Sequence, residues 1–527
     1  MKKIIYILSA LLFASCYEDT GNYNYTEIED ITIEEVPSQL GDLILIEDTI
    51  KINPVVGPKA EFDNNNFNYY WSLKEGTGGS AKLVRFAFEK DLVMPVTLAG
   101  DITLMFEVEH KETGIINYQI VNARGVSKFS NGMYLLKETS NGKTDIDMIG
   151  LDSQTGEPTT YPNLISVLNN GTGLDGTPVT IDYWGYRKED YENAQLVAVP
   201  ALRIASKEDI MVIDTNEFGV LGQFEDLFLG DVPAVRNIQN LKSINGNTTL
   251  INDGKVYAFS NYSNGIVAGE VKEYGGNKFL PALVGDYYMD NDIAWAARDQ
   301  ANTFLMYNTV DGHFKYTITT ASEPRDVREY PGFTDFKQDF NANLLFMESI
   351  ASGIYGYNVY ALLQNKQDPE VLTMLDINAQ NINGGYVRLN SSTSLAASDY
   401  RIDDASMWCV HQHRKQIYFV ADNKIWKYDA VSKTEQMIKE FPGEEITHID
   451  VLNEWYTVTG GIILQLEYTD FIVATSTGNN YKLYKFDMAA GDIIESEPYF
   501  TSTGEGKVTD YIYIKPSTTP FWMRTKY

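Results

Sequence analysis

The sequence after residue 125 repeats a short pattern, in which an apolar strand ends in Asp or Asn and is followed by a turn that usually carries Gly. A side-chain oxygen at the end of a strand can accept a hydrogen bond from the backbone two residues on, and Gly supplies the positive φ that returns the chain. Each copy therefore predicts a β-hairpin. The clear copies are residues 149–152, 212–214, 305–308, 425–429 and 483–487.

Weaker copies near residues 256–259 and 359–362 fill the gaps in this series. The mean spacing is then roughly 56 residues, longer than the ~40–50 of familiar propeller repeats. Further strand candidates precede the hairpins, for example residues 406–410 and 417–420. Four short strands per unit and about seven units predict a β-propeller, which removes exposed sheet edges by closing into a ring. Rings of six or eight blades, a β-helix and a second sandwich are the alternatives.

The end of the chain supplies a candidate closing strand. Residues 508–514 alternate apolar and polar side chains, and we expect them to pair in one blade with residues near 129–136. The chain also contains 35 tyrosines and few runs of helical period, which favours an all-β fold. We therefore predict a β-propeller-like domain over residues 126–527.

Residues 31–125 predict a separate small β-sandwich. Apolar and polar residues alternate in short strands that Gly, Pro and Asn interrupt about every ten residues. Tyr69-Tyr70-Trp71 resembles the Tyr-x-Trp strand of PKD and immunoglobulin-like domains, which implies that Trp71 lies in the core between two sheets. The Gly-Asp-Gly turn usual in PKD domains is replaced here by residues 74–78 (KEGTG), so the resemblance concerns the fold rather than a ligand.

The first 15 residues have the form of a secretory signal peptide. Lys2 and Lys3 precede an apolar run of about ten residues, which is too short to cross a membrane as a helix. The small residues before Cys16 resemble a bacterial lipobox, although Phe13 stands where an aliphatic residue is usual. The resemblance implies that Cys16 is acylated, for example with palmitate, and becomes the first residue. A free secretory protein is the alternative.

Residues 16–30 are polar and acidic and predict a lipidated tether, with a first strand of the sandwich as the alternative. Glu18 and Asp19 resemble the export signal of surface lipoproteins of the Bacteroidetes. Residues 17–25 (YEDTGNYNY) resemble the start of PKD-like family lipoproteins encoded beside SusC/SusD-type importers. That family resemblance implies an outer-membrane lipoprotein facing the cell exterior. Its implied partners are a SusC-like TonB-dependent barrel and a SusD-like lipoprotein.

The net charge argues against a nucleic-acid-binding protein, and the cysteine content argues against a disulfide-rich protein. The formal net charge of −30, without a Lys/Arg cluster, excludes a nucleic-acid-binding protein. The chain has two cysteines, and Cys16 is assigned to the lipid. Cys409 then has no partner, so we expect no disulfide framework.

Catalytic motifs are missing from the sequence. It contains no Gly-x-Ser-x-Gly, no His-Glu-x-x-His, no phosphate loop and no EF-hand loop. Cys409, His411 and His413 alternate as metal ligands on one strand would, but His413 reads as part of a turn. We therefore favour a structural Cys409 with solvated histidines. We predict a protein without catalytic residues, metal or cofactor; a hydrolase using a carboxylate pair is the alternative.

Two aromatic and acidic stretches are candidate ligand-binding loops. Residues 182–186 are interpreted as a long connection in which Tyr183, Trp184 and Tyr186 lack a strand face to bury, and residues 286–292 have the same chemistry. In the second stretch the candidate residues are Tyr287, Tyr288, Asp290 and Asp292. Aromatic faces stack on sugar rings or apolar peptide groups while carboxylates orient hydroxyls or amines.

These loops favour glycan or oligopeptide binding in an accessory subunit of the importer. Packing of the same loops on the propeller rim or on a protein neighbour is the structural alternative. Adhesion to host or matrix proteins is a further functional alternative.

Overall fold

The chain is described by a computed structural model in which most of residues 31–514 are placed. The described residues are 31–40, 44–45, 48–57, 64–75, 81–97, 100–151, 158–190, 195–228, 231–244, 247–260, 266–267, 270–271, 294–295, 303–308, 311–318, 325–333, 336, 340–351, 357–411, 414–452, 455–458, 462–465 and 470–514. The chain divides into two compact units, Met1–Gly125 (unit 1) and Val126–Tyr527 (unit 2). No helix among these residues is long and apolar enough to cross a membrane.

Unit 1 is a β-sandwich. Its strands are β1 (Thr32–Glu34), β2 (Ile44–Leu45), β3 (Thr49–Ile52), β4 (Val55–Gly57), β5 (Phe67–Glu75), β6 (Lys82–Ala87), β7 (Leu92–Pro95), β8 (Gly100–His110) and β9 (Ile116–Val126). One sheet has the strand order β2-β9-β8-β5-β6, and the ladders β1-β4 and β3-β7 contribute to the same core. Alternation on β8 places Leu104, Phe106 and Val108 inside.

Trp71 occupies the centre of that core, as predicted. Its side chain has no exposed surface, and its ring centroid lies 4.7 Å from that of Phe106. The indole N–H donates a hydrogen bond to the carbonyl oxygen of Lys90 at 3.1 Å. The large ring is therefore both packed and satisfied in hydrogen bonding.

Unit 2 contains seven successive sheets of three to five strands among the described residues. The strands of the first three sheets are β10 (Gly132–Glu138), β11 (Thr144–Leu151), β12 (Pro158–Tyr161); β13 (Pro178–Asp190), β14 (Gln195–Ser206), β15 (Ile210–Asp214), β16 (Gly219–Gln223); and β17 (Ile238–Ile244), β18 (Asn247–Asn252), β19 (Lys255–Ser260). A hairpin of β20 (Ile266–Val267) and β21 (Glu270–Val271) follows.

The fourth to sixth sheets continue the series. Their strands are β22 (Ala294–Trp295), β23 (Thr303–Asn308), β24 (His313–Ile318), β25 (Arg325–Asp326); β26 (Arg328–Glu329), β27 (Ala342–Ala351), β28 (Tyr357–Asn365), β29 (Val371–Asn378), β30 (Tyr386–Ala396); and β31 (Met407–Val410), β32 (Gln416–Ala421), β33 (Lys424–Asp429), β34 (Thr434–Glu440). All of the pairings are antiparallel except that of β26 with β30.

The last sheet carries an inserted hairpin. One more strand follows the whole sheet in the sequence. Its strands, the hairpin and the final strand are β35 (Glu445–Leu452), β36 (Trp455–Val458), β37 (Ile462–Gln465), β38 (Asp470–Thr477), β39 (Asn480–Ala489), β40 (Asp492–Ile493), β41 (Phe500–Glu505) and β42 (Lys507–Ile514). Strands β36 and β37 pair with each other, between β35 and β38 in the sequence. The one α-helix among the described residues is α1 (Leu164–Leu168).

The final strand belongs to the first sheet. β42 pairs antiparallel with β10, with Gly132 opposite Ile514 and Glu138 opposite Lys507. The predicted closing strand and its predicted partner are thereby confirmed. Strands at the ends of neighbouring sheets also touch, because β42 contacts both β35 and β13, and β13 contacts β17. Unit 2 is therefore propeller-like, with its apolar cores lying between adjacent sheets.

The predicted turn chemistry is confirmed at residues 212–214 and 425–429. Asp487, however, does not end its strand, because β39 runs to Ala489, and the turn predicted after residue 151 lies outside the described residues. The Asp214 Oδ1 atom accepts a hydrogen bond from the backbone N–H of Asn216 at 2.7 Å, and the Asp429 Oδ1 atom accepts one from that of Val431 at 2.9 Å. The copies do not all occupy one place in the sheets, however. Asp214 and Asp429 end third strands, whereas Asn308 ends the second strand of its sheet. The repeat thus marks tight turns rather than a fixed blade position, because the same turn chemistry serves either connection.

Candidate functional site

A buried ion pair within the first sheet of unit 2 accepts a hydrogen bond from a tyrosine of the last sheet. The Lys137 Nζ atom lies 2.6 Å from the Asp147 Oδ1 atom, and each side chain is 1% exposed. The Tyr481 hydroxyl, on β39 of the last sheet, donates a hydrogen bond to the other carboxylate oxygen at 2.8 Å. The backbone N–H of Asn163 donates to Oδ1 at 2.8 Å. The carboxylate therefore has a charged partner and two further donors, which offset its removal from water.

A glycine makes room for the tyrosine of this network. A Cβ atom on Gly504 would lie 2.5 Å from the Tyr481 ring, so no side chain fits at that position. Burial, together with the adjacent Asp147 carboxylate, raises the pKa of Tyr481 well above its ordinary value. The phenol consequently stays protonated and serves as a hydrogen-bond donor.

The same two sheets line a partly open cavity of about 230 Å³. It is lined by Asn131, Gly132, Met133, Ile149, Gly150, Pro158, Lys485, Phe500 and Tyr513. Strands β10, β11, β12 and β42 supply the wall from the first sheet, and β39 and β41 supply the wall from the last. The final strand contributes to the cavity through Tyr513.

One cation and two aromatic rings lie on the side of the last sheet and the closing strand. The Lys485 Nζ atom is 5.6 Å from the ring centroid of Phe500 and 5.9 Å from that of Tyr513. Both distances are within the range of a cation–π contact. The rings thus form part of an apolar wall with a positive group beside it.

Two glycines keep the opposite wall thin. A Cβ atom on Gly132 would lie 2.5 Å from the Met148 Cε atom, and one on Gly150 would lie 2.8 Å from the same atom. The two glycines thus leave room for the Met148 side chain, and at these two positions the cavity is lined by backbone. An apolar cavity of about 150 Å³ is enough to hold a benzene molecule. The cavity accordingly has room for one aromatic or branched aliphatic group.

The first predicted loop is a strand, so its interpretation as a connection is wrong. Residues 182–186 lie within β13, where Trp184 pairs with Ala201 of β14. Tyr183 packs against the core between the first two sheets, and Tyr186 packs against the next core. Tyr183 and Tyr186 do have strand faces to bury, because side chains along β13 alternate between its two neighbouring sheets. Their role in ligand binding stays a prediction.

Several other predicted site residues lie outside the described residues. These are Cys16, Glu18, Asp19, Tyr287, Tyr288, Asp290, Asp292 and His413.

The expectation of solvated histidines beside Cys409 is wrong for His411, which is only 5% exposed. Cys409 itself is a free, buried cysteine. Burial, and then the Asp450 and Glu348 carboxylates, raise the pKa of its thiol well above the ordinary value. The protonated thiol is a poor nucleophile and metal ligand at neutral pH.

Asp311, His313 and Asp326 place ligand-type atoms within 4.8 Å of one another. A lysine already supplies the cation there, because the Lys315 Nζ atom lies 2.8 Å from Asp311 Oδ2 and 2.6 Å from Asp326 Oδ1. Burial alone would lower the pKa of Lys315, but hydrogen bonds to the two carboxylates outweigh it and raise that pKa. The cluster therefore acts as an ion pair within the fourth sheet.

The sequence reasoning missed the residues that line the cavity. Tyr513 lies in the predicted closing strand, and its predicted partner strand contains Met133. These two positions could have been placed near each other. Phe500 and Lys485 carry no comparable signal, since their position depends on how the last sheet packs against the first.

Residues 16–178 match the PKD-like family. The matched residues are less than a third of the chain. The match begins at the cysteine predicted to carry the lipid and extends beyond unit 1 into the first strands of unit 2. The match supports the PKD-like assignment of the N-terminal sandwich. No curated protein matches the chain.

Solved structures resemble the chain only loosely. A quinonprotein alcohol dehydrogenase-like protein from Bacteroides thetaiotaomicron is 12% identical, with a TM-score of 0.35, over 92% of this chain and 98% of that one. The WD40 domain of SCAP from fission yeast is 8% identical, with a TM-score of 0.34, over 63% and 74%. The Dos1 propeller is 9% identical, with a TM-score of 0.36, over 73% and 88%. The propeller-like description of unit 2 rests on its own strand pairing.

Proposed function

We propose that the chain is a non-catalytic lipoprotein, anchored through Cys16 to the outer membrane and facing the cell exterior. There it acts as an accessory component of a SusC/SusD-like importer and binds glycans or oligopeptides. The observation that carries this proposal is the PKD-like match beginning at residue 16, where the lipobox-like sequence ends. The lipid sets the location, and the two β units present a binding surface.

In this proposal the seven sheets of unit 2 are seven blades of a closed ring. Each sheet has the three or more antiparallel strands of a blade among the described residues. The C-terminal strand completes the first blade, which supports closure of the ring.

The cavity between the first and last sheets is the ligand site that we favour. Its side chains are mainly apolar, and Asn131, Lys485 and the Tyr513 hydroxyl are its polar groups. Sugar rings expose hydroxyls on most edges and need several polar partners, whereas an apolar peptide side chain needs few. The lining therefore favours an oligopeptide over a glycan.

Metabolic labelling with alkyne-tagged palmitate tests the anchor. The two cysteines of the chain give a matched pair, Cys16→Ser and Cys409→Ala. We expect label on the wild type and on the Cys409→Ala variant and none on the Cys16→Ser variant. Label that persists on Cys16→Ser would contradict lipidation at this position.

Protease treatment of intact cells tests the outward orientation. We expect the wild type to be cleaved and a Glu18→Ala/Asp19→Ala variant to be protected inside the cell. Glu27→Ala/Glu29→Ala is the control, because it removes two charges from the same predicted tether. Protection of the wild type would contradict surface exposure.

Affinity purification from native outer membranes tests the partnership. We expect a TonB-dependent barrel and its lid lipoprotein to co-purify with the chain. Recovery of the chain alone, under conditions that keep other barrel and lid pairs together, would contradict the accessory role.

Calorimetric titration with N-acetyl-tryptophanamide and with a linear glucan tests the cavity. We expect the tryptophan derivative to bind, and Phe500→Ala to weaken it by about tenfold, or about 1.4 kcal/mol. Tyr499→Ala is the neighbouring control, because Tyr499 does not line the cavity. Binding of the glucan alone, or equal affinity of the Phe500→Ala variant, would contradict this choice of ligand.

A further inference from the structure

Two arginines and three aromatic rings form a cluster on the fifth sheet of unit 2, which we call the arginine–aromatic patch. The Arg328 guanidinium carbon lies 4.6 Å from the ring centroid of Tyr386. The Arg388 guanidinium carbon lies 4.9 Å from the ring centroid of Phe333. Tyr330 stands between the two rings, with its centroid 6.2 Å from each of theirs. Each guanidinium therefore has an aromatic ring as its support.

The two arginines lie on one face of the sheet, outside the core. Tyr386 and Arg388 are two residues apart on β30, so their side chains point to the same side. Val387, between them, is 1% exposed and packs in the core on the other side. Arg328 is beside Tyr386 on the parallel ladder of β26 and β30 and stacks on its ring. Both arginines are exposed, and their N–H groups are accessible to a ligand.

A tight turn holds the rings of Tyr330 and Phe333 in place. The backbone N–H of Phe333 donates a hydrogen bond to the carbonyl oxygen of Tyr330 at 3.1 Å. Pro331 and Gly332 occupy the central positions, and the φ of +96° at Gly332 is what a type II turn requires there. The backbone N–H of Tyr330 donates to the carbonyl oxygen of Val387 at 2.8 Å, which ties the turn to β30. The patch is therefore ordered before a ligand arrives.

Neither guanidinium of the patch forms an ion pair with a carboxylate of the described residues. Arg328 donates to the carbonyl oxygen of Gly384 at 3.5 Å, and Arg388 donates to the Asn390 Oδ1 atom at 3.1 Å. An arginine has five N–H donors in a planar fork, so most of the donors of both groups remain available.

Other arginines of the chain do have carboxylate partners. Four of them lie within 4.0 Å of one: Arg85, Arg124, Arg236 and Arg401. The carboxylates next to Arg328 in the sequence are engaged elsewhere, because Asp326 pairs with Lys315 and Glu329 accepts a hydrogen bond from the backbone N–H of Phe336 at 3.0 Å. On a chain with 72 Asp and Glu residues, two ordered arginines without a carboxylate point to one supplied from outside.

We propose that the arginine–aromatic patch binds an extended acidic peptide, in which two carboxylates at alternate positions each meet one guanidinium. The fork of an arginine matches a carboxylate through two parallel hydrogen bonds. A strand rise of ~3.3 Å and a strand separation of ~4.8 Å put the Cα atoms of Arg328 and Arg388 about 8 Å apart. Side chains two residues apart in an extended peptide lie on one side, about 7 Å apart. The two spacings therefore match.

An acidic glycan fits the patch less well. A sugar ring stacks on a free aromatic face, whereas Arg328 already covers one face of Tyr386 and Arg388 covers one face of Phe333. The methylene groups of a glutamate side chain need only some exposed ring surface, which Tyr330 and Phe333 provide. The patch does not depend on the cavity between the first and last sheets or on the lipid anchor.

Fluorescence anisotropy with a labelled pentapeptide tests the patch on the purified full chain. The peptide has glutamate at its second and fourth positions, glycine or alanine elsewhere, and blocked ends. We expect saturable binding, and binding at least about tenfold weaker when both glutamates are replaced by glutamine. A peptide with the two glutamates adjacent should also bind more weakly, because neighbouring side chains of an extended peptide point to opposite sides.

Protein variants locate the peptide on the chain. We expect Arg328→Gln and Arg388→Gln each to weaken binding about fivefold, and the double variant at least about twentyfold. Arg388→Lys keeps the charge without the planar fork and should weaken binding about threefold. Arg325→Gln is the control, with a change of less than about twofold, since it removes the same charge from an exposed position on β25 of the fourth sheet.

Three results would overturn the proposal. One is equal binding of the glutamate and glutamine peptides, which needs no protein variant, and another is equal binding to the double arginine variant and the wild type. The third is tighter binding of trigalacturonate than of the peptide, lost in the double variant, which would assign the patch to an acidic glycan. The Phe500→Ala variant should bind the acidic peptide as the wild type does, so the patch and the cavity are tested separately.

Discussion

The two units of the chain solve the problem of sheet edges in opposite ways. Unit 2 returns its last strand to its first sheet, and a hydrogen bond from the buried Tyr481 of the last sheet reaches Asp147, which pairs with Lys137 inside the first sheet. Unit 1 leaves β6 at the border of its sheet. Among the described residues, nine exposed large apolar side chains lie in unit 1 and ten in unit 2, although unit 2 is more than three times longer.

This contrast shows that closure and exposure serve different purposes. A sheet that takes up the final strand of the chain has one unpaired edge fewer, whereas an open sandwich leaves the edges of its sheets unpaired. A substitution that destabilises one unit and leaves the other unchanged would support this difference between the units. A substitution that destabilises both would argue against it.

Trp71→Ala is expected to have the largest effect, and to confine it to unit 1. Truncating a fully buried aromatic ring costs about 3–5 kcal/mol. Hydrogen exchange followed by mass spectrometry should show faster exchange in β5 and β8 and unchanged exchange in the sheets of unit 2. Equal acceleration in both units would show that they unfold together.

Lys137→Met is expected to destabilise unit 2 by about 3 kcal/mol, because Asp147 keeps a buried charge without its cation. The double variant Lys137→Met/Asp147→Leu should recover part of that loss, since no uncompensated charge is left. Denaturant unfolding measures both values. A single variant that costs less than about 1 kcal/mol would mean that the ion pair does not fasten the ring.

Gly504→Ala is expected to cost about 1–3 kcal/mol, because the added methyl group overlaps the Tyr481 ring. Thermal unfolding should show the loss in unit 2. Gly219→Ala is the control, because Gly219 also lies in a strand of unit 2, has open space around its Cβ position and does not have a positive φ. If the two variants lose equal stability, the close fit at Tyr481 contributes nothing.

Lys315→Met is expected to have the smallest effect, and one that depends on pH. Burial alone would raise the pKa of Asp326, but the Lys315 ammonium outweighs it and lowers that pKa below the ordinary value. The stabilising contribution is therefore present above the unfolded-state pKa of Asp326 and is lost as the pH falls through the folded-state pKa.

The stabilisation by this ion pair also has an alkaline limit, which is set by the raised pKa of Lys315. That part is present below the unfolded-state pKa of Lys315 and is lost as the pH rises through the folded-state pKa. Unfolding midpoints of wild type and variant should differ most at neutral pH and converge in acid. Lys207→Met, at an exposed lysine, is the control, and a difference that is constant with pH would contradict the pairing.

Much of the fold could be predicted from local patterns. The alternation around Trp71 and the pattern of residues 508–514 each identified a strand and its environment, because both depend on side-chain periodicity. The position of a hairpin within its sheet was not predictable in this way. Asn308 and Asp429 form similar turns in different places, and turn chemistry does not depend on neighbouring strands.

The candidate site was harder to predict than the fold. Tyr183 and Tyr186 looked like loop residues available to a ligand, because a strand that packs against apolar cores on both faces lacks a simple alternation of apolar and polar residues. Phe500 and Lys485 line a cavity that forms where sheets distant in sequence meet. Such a meeting depends on packing of the whole ring, which no single stretch of sequence encodes.

The pairing of β10 with β42 has a consequence for how the protein is made. The ribosome releases β10 early, and its partner emerges only after nearly all the rest of unit 2. Until then β10 lacks its partner strand, and the loop that must close is long. In a prematurely terminated chain that edge of β10 stays unpaired, so we expect incomplete copies to be cleaved by proteases more readily than finished ones.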